Sequence, residues 1–362
     1  MRIGGDLFLE KPFLLDLTST EENLKNDIKD IDYRKNRINI LGINSLNKYR
    51  LNKKILIFTR IDDPEIDYLG KFLLEAGIDY LRINAESIFT EFSYSIEVND
   101  KLTGKINCNS TCWNIEDIDA VWFRHFSLDT IPKSNSNVDN MYVREQWGIF
   151  FTLLSNLDIR IISGFEAEKQ FIKPLQIKLA KDVGFEVPNT LITNNKDEVK
   201  KYFGDISVFA KVLMHHNIEY KPNVLKHVYG RIINTDDYPK ETFKIAPTIF
   251  QNLIENGKEI RVTFFGKYIF GTEYKNVEHT DWHDQGIYGF NMKEYIIPSK
   301  LKKKLERFID KSGLYVGTID LILVDNNCYF LEVNVNGDWR WLEVQTKQKI
   351  SQKCIDFLKE VV

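Results

Sequence analysis

Apolar positions along this chain fall into two textures. From residue 54 onward, short apolar runs alternate with helical spacing. Residues 54–59 (Lys-Ile-Leu-Ile-Phe-Thr) make a run of strand length. Behind Asp62-Asp63-Pro64, which supplies a cap and a first-turn proline, Ile66, Leu69, Phe72 and Leu73 recur on one helical face. Residues 80–84, 120–124 and 159–162 read as further strands, and 143–157 as a helix. Strand, helix, strand in this order predicts a parallel α/β unit.

Beyond Phe171 helices mix with antiparallel patterns. The run 173–183 predicts a helix stopped by Gly184, with Pro188 beyond it. Strands are expected at 190–193, 207–213, 248–253, 259–265, 268–273, 316–324 and 328–335. Helices are expected at 196–202, at 300–310 behind a Ser299 cap, and at 342–358. Residues 212–238 predict a projecting hairpin rich in polar aromatic residues. The second half is therefore expected to be α+β. Residues 1–52 carry neither period. Phe8, Leu9, Phe13, Leu14, Leu15 and Leu17 cluster around Pro12, and a polar stretch follows from Thr18. The segment reads as an extension outside the main domains.

Composition narrows the class. The chain has 362 residues, 43% apolar and 28% charged, with formal net charge −3. That length suits two or three domains with a sizeable core. The balance of charge argues against broad coating of nucleic acid. No apolar run approaches the roughly 18–20 residues of a membrane span, and the amino terminus does not read as a signal peptide. Cys108, Cys112, Cys328 and Cys354 lack the spacing of a zinc site. Four reduced thiols in the cytoplasm are expected.

Three signals carry chemistry. First, Asp320 lies in an apolar strand and Glu332-Val333-Asn334 in the next, joined by turn residues Asp325-Asn326-Asn327. A three-residue connection sets Val324 against Cys328 and so Asp320 against Glu332, with Asn334 on the same face. Ile319, Leu321, Leu323, Leu331 and Val333 then line the opposite, core face. Two carboxylates and an amide oxygen are hard ligands that suit Mg²⁺. Second, Gln251-Asn252-Leu253-Ile254 precedes a strand in which Glu259, Arg261 and Thr263 share a face, closed by a Gly266-Lys267 turn. Glu259 and Arg261 fit either a ribose hydroxyl and an anion, or a cross-strand ion pair. Third, Lys211 ends an apolar strand, where a buried ammonium needs an anion: a phosphate or a structural carboxylate. Lys173, at a helix start, is a weaker candidate of the same kind.

The order Lys173, Lys211, Gln251 to Arg261, Asp320, then Glu332-Val333-Asn334 resembles the ATP-grasp superfamily. Residues 120–124 (Ala-Val-Trp-Phe-Arg), 173–180 (Lys-Pro-Leu-Gln-Ile-Lys-Leu-Ala) and 336–343 (Asn-Gly-Asp-Trp-Arg-Trp-Leu-Glu) resemble its peptide maturases, the microviridin or graspetide macrocyclising ligases. The resemblance covers residues 54–362. Beyond the extension over 1–52, which has no counterpart there, it implies a pre-ATP-grasp α/β domain over 53–165, a central lobe over 166–250 and a C-terminal lobe over 251–362. It implies ATP and two Mg²⁺ ions. Lys173 and Lys211 would hold phosphates, Gln251, Asn252, Leu253 and Ile254 the adenine, and Glu259 the ribose. Asp320, Glu332 and Asn334 would hold the metal, and Arg261 the transferring phosphoryl group. The substrate would be a ribosomal precursor peptide, contacted by Asp281, His283, His215 and Tyr229, and the enzyme a homodimer. The activity implied is activation of Asp or Glu side chains as acyl phosphates and their closure onto Thr, Ser or Lys. Two histidines, His125 and His283, stand where that branch often has arginine. A ligase adding an amino acid to a small molecule or protein tail, and a non-catalytic nucleotide-binding protein, are the competing readings.

The stretch Phe8-Leu9-Glu10-Lys11-Pro12-Phe13-Leu14-Leu15 is similar to leader peptides of that branch, and Thr18-Ser19-Thr20-Glu21-Glu22 sets hydroxyls beside carboxylates. The extension is read either as packing on the first domain or as a tethered, substrate-like peptide.

Overall fold

The computed structural model describes residues 21–23, 53–214, 217–221, 224–228, 230–275, 291–325 and 327–362. The apolar cluster between Phe8 and Leu17 lies outside them.

The first parallel unit forms as expected. Strands Lys53–Thr59, Ile78–Asn84, Ala120–Phe123 and Arg160–Ser163 build a four-stranded parallel sheet in which Lys53–Thr59 sits between the second and third. Ile55, Leu56, Ile57 and Phe58 are all fully buried, because the strand has covered faces on both sides. The helix Pro64–Glu75 starts where Asp63 accepts from the Ile66 amide, and buries Ile66, Leu69 and Leu73. A second sheet has no counterpart in the sequence expectations: Phe92–Val98, Leu102–Cys108 and Thr111–Asn114, antiparallel. Its first strand is mostly exposed, so it lacks a strong apolar alternation. The helix expected over 143–157 begins earlier, at Asn137–Ser155, capped by Ser136. Val138 and Met141 in its first turns face solvent, which hides the period.

The second half is antiparallel. One four-stranded sheet runs Arg231–Ile233, Val208–Lys211, Thr248–Gln251, Thr190–Thr193. A five-stranded sheet runs Asn291–Tyr295, Tyr268–Lys275, Lys258–Phe265, Val316–Val324, Asn327–Asn334. The helices Lys173–Asp182 and Ser299–Ser312 pack on it through Ala180, Leu305 and Phe308 against Val262, Ile319 and Phe330. The expected hairpin over 212–238 is shorter: Asn217–Lys221 pairs with Val224–His227, and the chain then returns to the sheet at Arg231.

Three local expectations are corrected. Ser299 is the first residue of its helix, with Pro298 in the capping position and no side-chain cap. The closing helix is two, Arg340–Thr346 and Ile350–Val361, broken at Lys347 in the left-handed region (φ 62). The Glu343 carboxylate accepts from the Ser351 amide and hydroxyl, and so caps the second. The third correction concerns the turn between Val324 and Asn327, taken up below.

One buried ion cluster ties the first unit to the C-terminal loop. The Arg124 guanidinium lies 3.0 Å from Asp63, 3.1 Å from Glu65 and 2.8 Å from Asp338, with the Trp339 ring 4.5 Å away. Glu65 also accepts from the Trp339 and Arg340 amides. Burial and the nearby Asp338 charge push the Glu65 carboxyl up to about 7, against the pull of Arg124. Removing Arg124 leaves three acidic groups without their shared cation. Arg124→Ala is expected to lower unfolding free energy by roughly 3–5 kcal/mol in urea titration; a loss under about 1 kcal/mol would show that the cluster is not a tie.

Candidate active site

The connection after Val324 is shorter than the sequence suggests. Val324 pairs with Asn327, not Cys328, so two residues form the turn and Asp325 is left-handed (φ 52). That register alone sets Asp320 against Leu331. A β-bulge corrects it: Leu321 pairs with Phe330, and the next pair is Asp320 with Glu332. Leu331 is the extra residue. It leaves the core face, where Phe330 and Cys328 take the place expected for it, while Ile319, Leu321 and Val333 stay buried. Asp320 and Glu332 therefore stand opposite each other after all, and Thr318 opposes Asn334.

Arg261 comes to the same face from the neighbouring strand, where it is the register partner of Asp320. Its Nη1 lies 3.3 Å from Asp320 Oδ1. The Asn334 amide donates to Asp320 Oδ2 at 3.1 Å. The cross-strand ion pair expected as one reading of Arg261 thus exists, with Asp320 as partner. Glu259 is half-buried two residues away, opposite Ile322.

Both lysines converge on Glu332. Lys173 Nζ is 3.3 Å and Lys211 Nζ 3.9 Å from Glu332 Oε2, and Lys173 also reaches the Val212 carbonyl at 3.4 Å. Both lysines are 6% exposed. Lys173 owes its placement to Gln176, one turn along its helix. The Gln176 amide donates to the Val333 carbonyl at 3.1 Å and accepts from the Val333 N–H at 3.0 Å, acting as a short extra strand against the backbone beside Glu332. Gln176 is a positioning residue that the sequence expectations passed over. Nothing in its spacing distinguishes it from a surface glutamine. Trp341 is another: its ring lies 5.7 Å from the Arg261 guanidinium and stacks on Tyr274.

The Gln251–Ile254 segment ends the strand Thr248–Gln251 and crosses towards the five-stranded sheet. Gln251 is buried and donates to the Thr190 hydroxyl at 2.9 Å. Asn252 and Asn189 are joined twice, amide to carbonyl and amide to side chain. Leu253 and Ile254 are half-buried. Asp281, His283, His215 and Tyr229 lie outside the described residues.

Electrostatically the cleft is cationic: Lys173, Lys211 and Arg261 face Asp320 and Glu332. Burial pulls the Lys211 ammonium down to about 8; Glu332 opposes that shift and Lys173 adds to it. Among the described residues no group of three or more His, Cys, Asp and Glu side chains assembles. Two carboxylates and an amide do assemble, and this set fits Mg²⁺, which completes its shell with phosphate oxygens and water.

No known family profile matches the chain. It is 26% identical over 198 residues to an uncharacterized protein of Methanocaldococcus jannaschii, an alignment covering 51% of this chain and 46% of that protein. The chain thus spans less than half the length of the curated relative it matches. Among solved structures it superposes on a Chryseobacterium gregarium ATP-grasp ligase associated with ribosomally made, modified peptides, determined with ADP and a leader and core peptide. The TM-score is 0.75, with 25% identity over 86% of this chain and 97% of that one. It also superposes on the macrocyclase MdnC of Microcystis aeruginosa bound to precursor peptide MdnA (TM-score 0.72, 22% identity, 85% and 99% covered). The fold is that of the ATP-grasp ligases, and the chain resembles those that mature peptides. Within it, no described helix is long and apolar enough to cross a membrane.

The downward shift of Lys211 means that burial costs the ammonium more than Glu332 returns. Lys211→Met is therefore expected to raise the unfolding free energy of the ligand-free protein at pH 7 by on the order of 1–3 kcal/mol. Lys211 regains stability for the folded state as pH rises from about 8 through the ordinary lysine value of 10.5, so the gap should close over that window. Denaturant melts of both proteins at pH 7 and pH 10 check it; a less stable variant at pH 7 would make Lys211 a structural ion-pair partner.

Proposed function

We propose that this chain is an ATP-dependent carboxylate ligase acting on a ribosomal precursor peptide. It activates Asp or Glu side chains as acyl phosphates and closes them onto Thr or Ser hydroxyls or Lys amines. The observation that carries the reading is the convergence of Lys173 and Lys211 on Glu332, directly opposite the Asp320 that Arg261 holds. A cleft with more buried cations than anions invites a polyanion. The peptide-bound ligases of the same fold support a peptide as the second substrate.

In this reading the pre-ATP-grasp unit spans 53–165, the central lobe 166–250 and the C-terminal lobe 251–362, as a cytoplasmic homodimer. Lys173 and Lys211 turn from Glu332 to the nucleotide phosphates. Gln251, Asn252, Leu253 and Ile254 border the adenine, with Asn252 held in place by Asn189. Glu259 takes the ribose. Asp320, Glu332 and Asn334 hold Mg²⁺ as two ions, which when bound neutralise phosphate charge and polarise the γ-phosphoryl group. Arg261, backed by Trp341, stays over the transferring group and the acyl phosphate, where negative charge develops. The substrate carboxylate supplies the nucleophile, so the protein's task is positioning and charge neutralisation. Asp281, His283, His215 and Tyr229 are assigned to the peptide.

Asp320→Asn and Glu332→Gln are expected to lower ATP-dependent product formation by on the order of a hundredfold or more while the protein keeps its fold. Mass spectrometry of the peptide product and circular dichroism of each variant test this together. Normal turnover by either folded variant removes that residue from the metal set.

A further inference from the structure

The helix Asn137–Ser155 carries apolar residues on both of its sides. One side belongs to the core of the first unit. Phe150, Phe151 and Leu154 are buried, Val143 and Trp147 pack beside them, and the Phe151 ring lies 5.2 Å from Phe58 and 5.5 Å from Phe123 of the parallel sheet. That face alone anchors the helix. The opposite side faces solvent, yet Val138, Met141, Tyr142 and Ile149, 64–75% exposed, lie on it. Single exposed apolar residues are ordinary; a row of them is not.

The row has the spacing of a helix–helix seam. Val138, Tyr142, Glu145, Ile149 and Thr152 are all exposed and follow one another at steps of four, three, four and three. Two helices packed along their length need that alternation. Met141 widens the stripe at one end. The seam from Val138 to Thr152 is about 21 Å long. It is also complementary to itself. Set two copies antiparallel about a two-fold axis between Val143 and Arg144. Val138 then meets Ile149 and Tyr142 meets Glu145, each twice. Apolar side chains meet at both ends, and in the middle each phenol donates to the other copy's carboxylate. The one charged residue of the seam is thus not left unpaired. A parallel copy in register would set Glu145 against Glu145. Four side chains so exposed offer on the order of 500 Å² per copy, and about 1,000 Å² for the pair, the lower limit for specific association.

We infer that this chain pairs with a second copy of itself through the solvent face of the helix Asn137–Ser155, the two helices antiparallel about that axis. The contact is isologous and therefore closes at two copies. It assigns a surface to the homodimer of the ligase reading, but it stands on the helix face and not on that reading, and its test uses no nucleotide. An interface of this size sits at the weak end, so the dimer separates on dilution.

The test is light scattering of the full chain over a concentration series, with disulfide mapping of a double variant. The expected mass rises from that of one chain, 42.5 kDa, towards twice that value. Ile149→Lys puts two cations into the seam and is expected to hold the mass at one chain at every concentration, with circular dichroism unchanged because the position is exposed. Oxidation of the variant carrying Val138→Cys and Ile149→Cys is expected to join position 138 of one copy to position 149 of the other. Within one helix those positions lie about 16 Å apart, beyond the reach of a disulfide. A one-chain mass for the unmodified protein throughout the series overturns the proposal. So does a dimer that survives Ile149→Lys, or links that join 138 to 138 and 149 to 149. A one-chain mass with a thiol at position 149 that resists alkylation also overturns it, since another segment of the chain then covers the face.

Discussion

Two buried ammoniums share one carboxylate, and the rest of the site is arranged around that imbalance. Glu332 lies within 4 Å of both Lys173 and Lys211, yet it does not offset the desolvation of Lys211, whose ammonium burial pulls down to about 8. A fold tolerates such a cost where the charges serve a ligand. The surrounding structure holds the imbalance in place. Gln176 hydrogen-bonds both the N–H and the carbonyl of Val333 and so fixes the helix that carries Lys173 against the strand that carries Glu332. Arg261 and Asn334 fix Asp320 from either side.

The bulge at Leu331 is the second constraint. Without it the two-residue turn sets Asp320 against a leucine and sends one carboxylate into the core. The reach of the site extends further through the loop after Asn334. Gly337 packs so closely on Thr318 that a Cβ there would lie 1.7 Å from the hydroxyl oxygen. The next residue, Asp338, joins the Arg124 cluster of the parallel sheet and also meets His125 at 2.7 Å. The hairpin that carries Asp320 and Glu332 and the first unit are thereby coupled through one loop.

Much of this was legible in the sequence, and the failures have physical causes. The opposition of Asp320 and Glu332 was expected from a three-residue turn; two errors, in turn length and in strand regularity, cancel because a bulge adds one residue where the turn lacks one. Local pattern cannot show such a bulge. For Lys211 and Arg261 the sequence left phosphate and structural carboxylate as alternatives. In the fold each cation does sit beside a carboxylate, Glu332 for one and Asp320 for the other. The parallel sheet was readable because its central strand is buried on both faces. The sheet over 92–114 was not, because its exposed face carries no apolar signal. The Arg124 cluster joins residues more than 200 positions apart, and no period along the chain reports such a contact.

The claim that the paired lysines form a polyphosphate site makes a proton the most direct witness. Burial pulls the Lys211 ammonium down to about 8, so it loses its proton progressively above that pH, and a bound polyanion favours its charged form. Calorimetric titration with Mg²⁺ and a non-hydrolysable ATP analogue at pH 8.5, in buffers of different ionisation enthalpy, measures protons taken up on binding. The account predicts net uptake that vanishes in Lys211→Met. Binding of the analogue with no proton uptake, or with uptake unchanged in that variant, would contradict it.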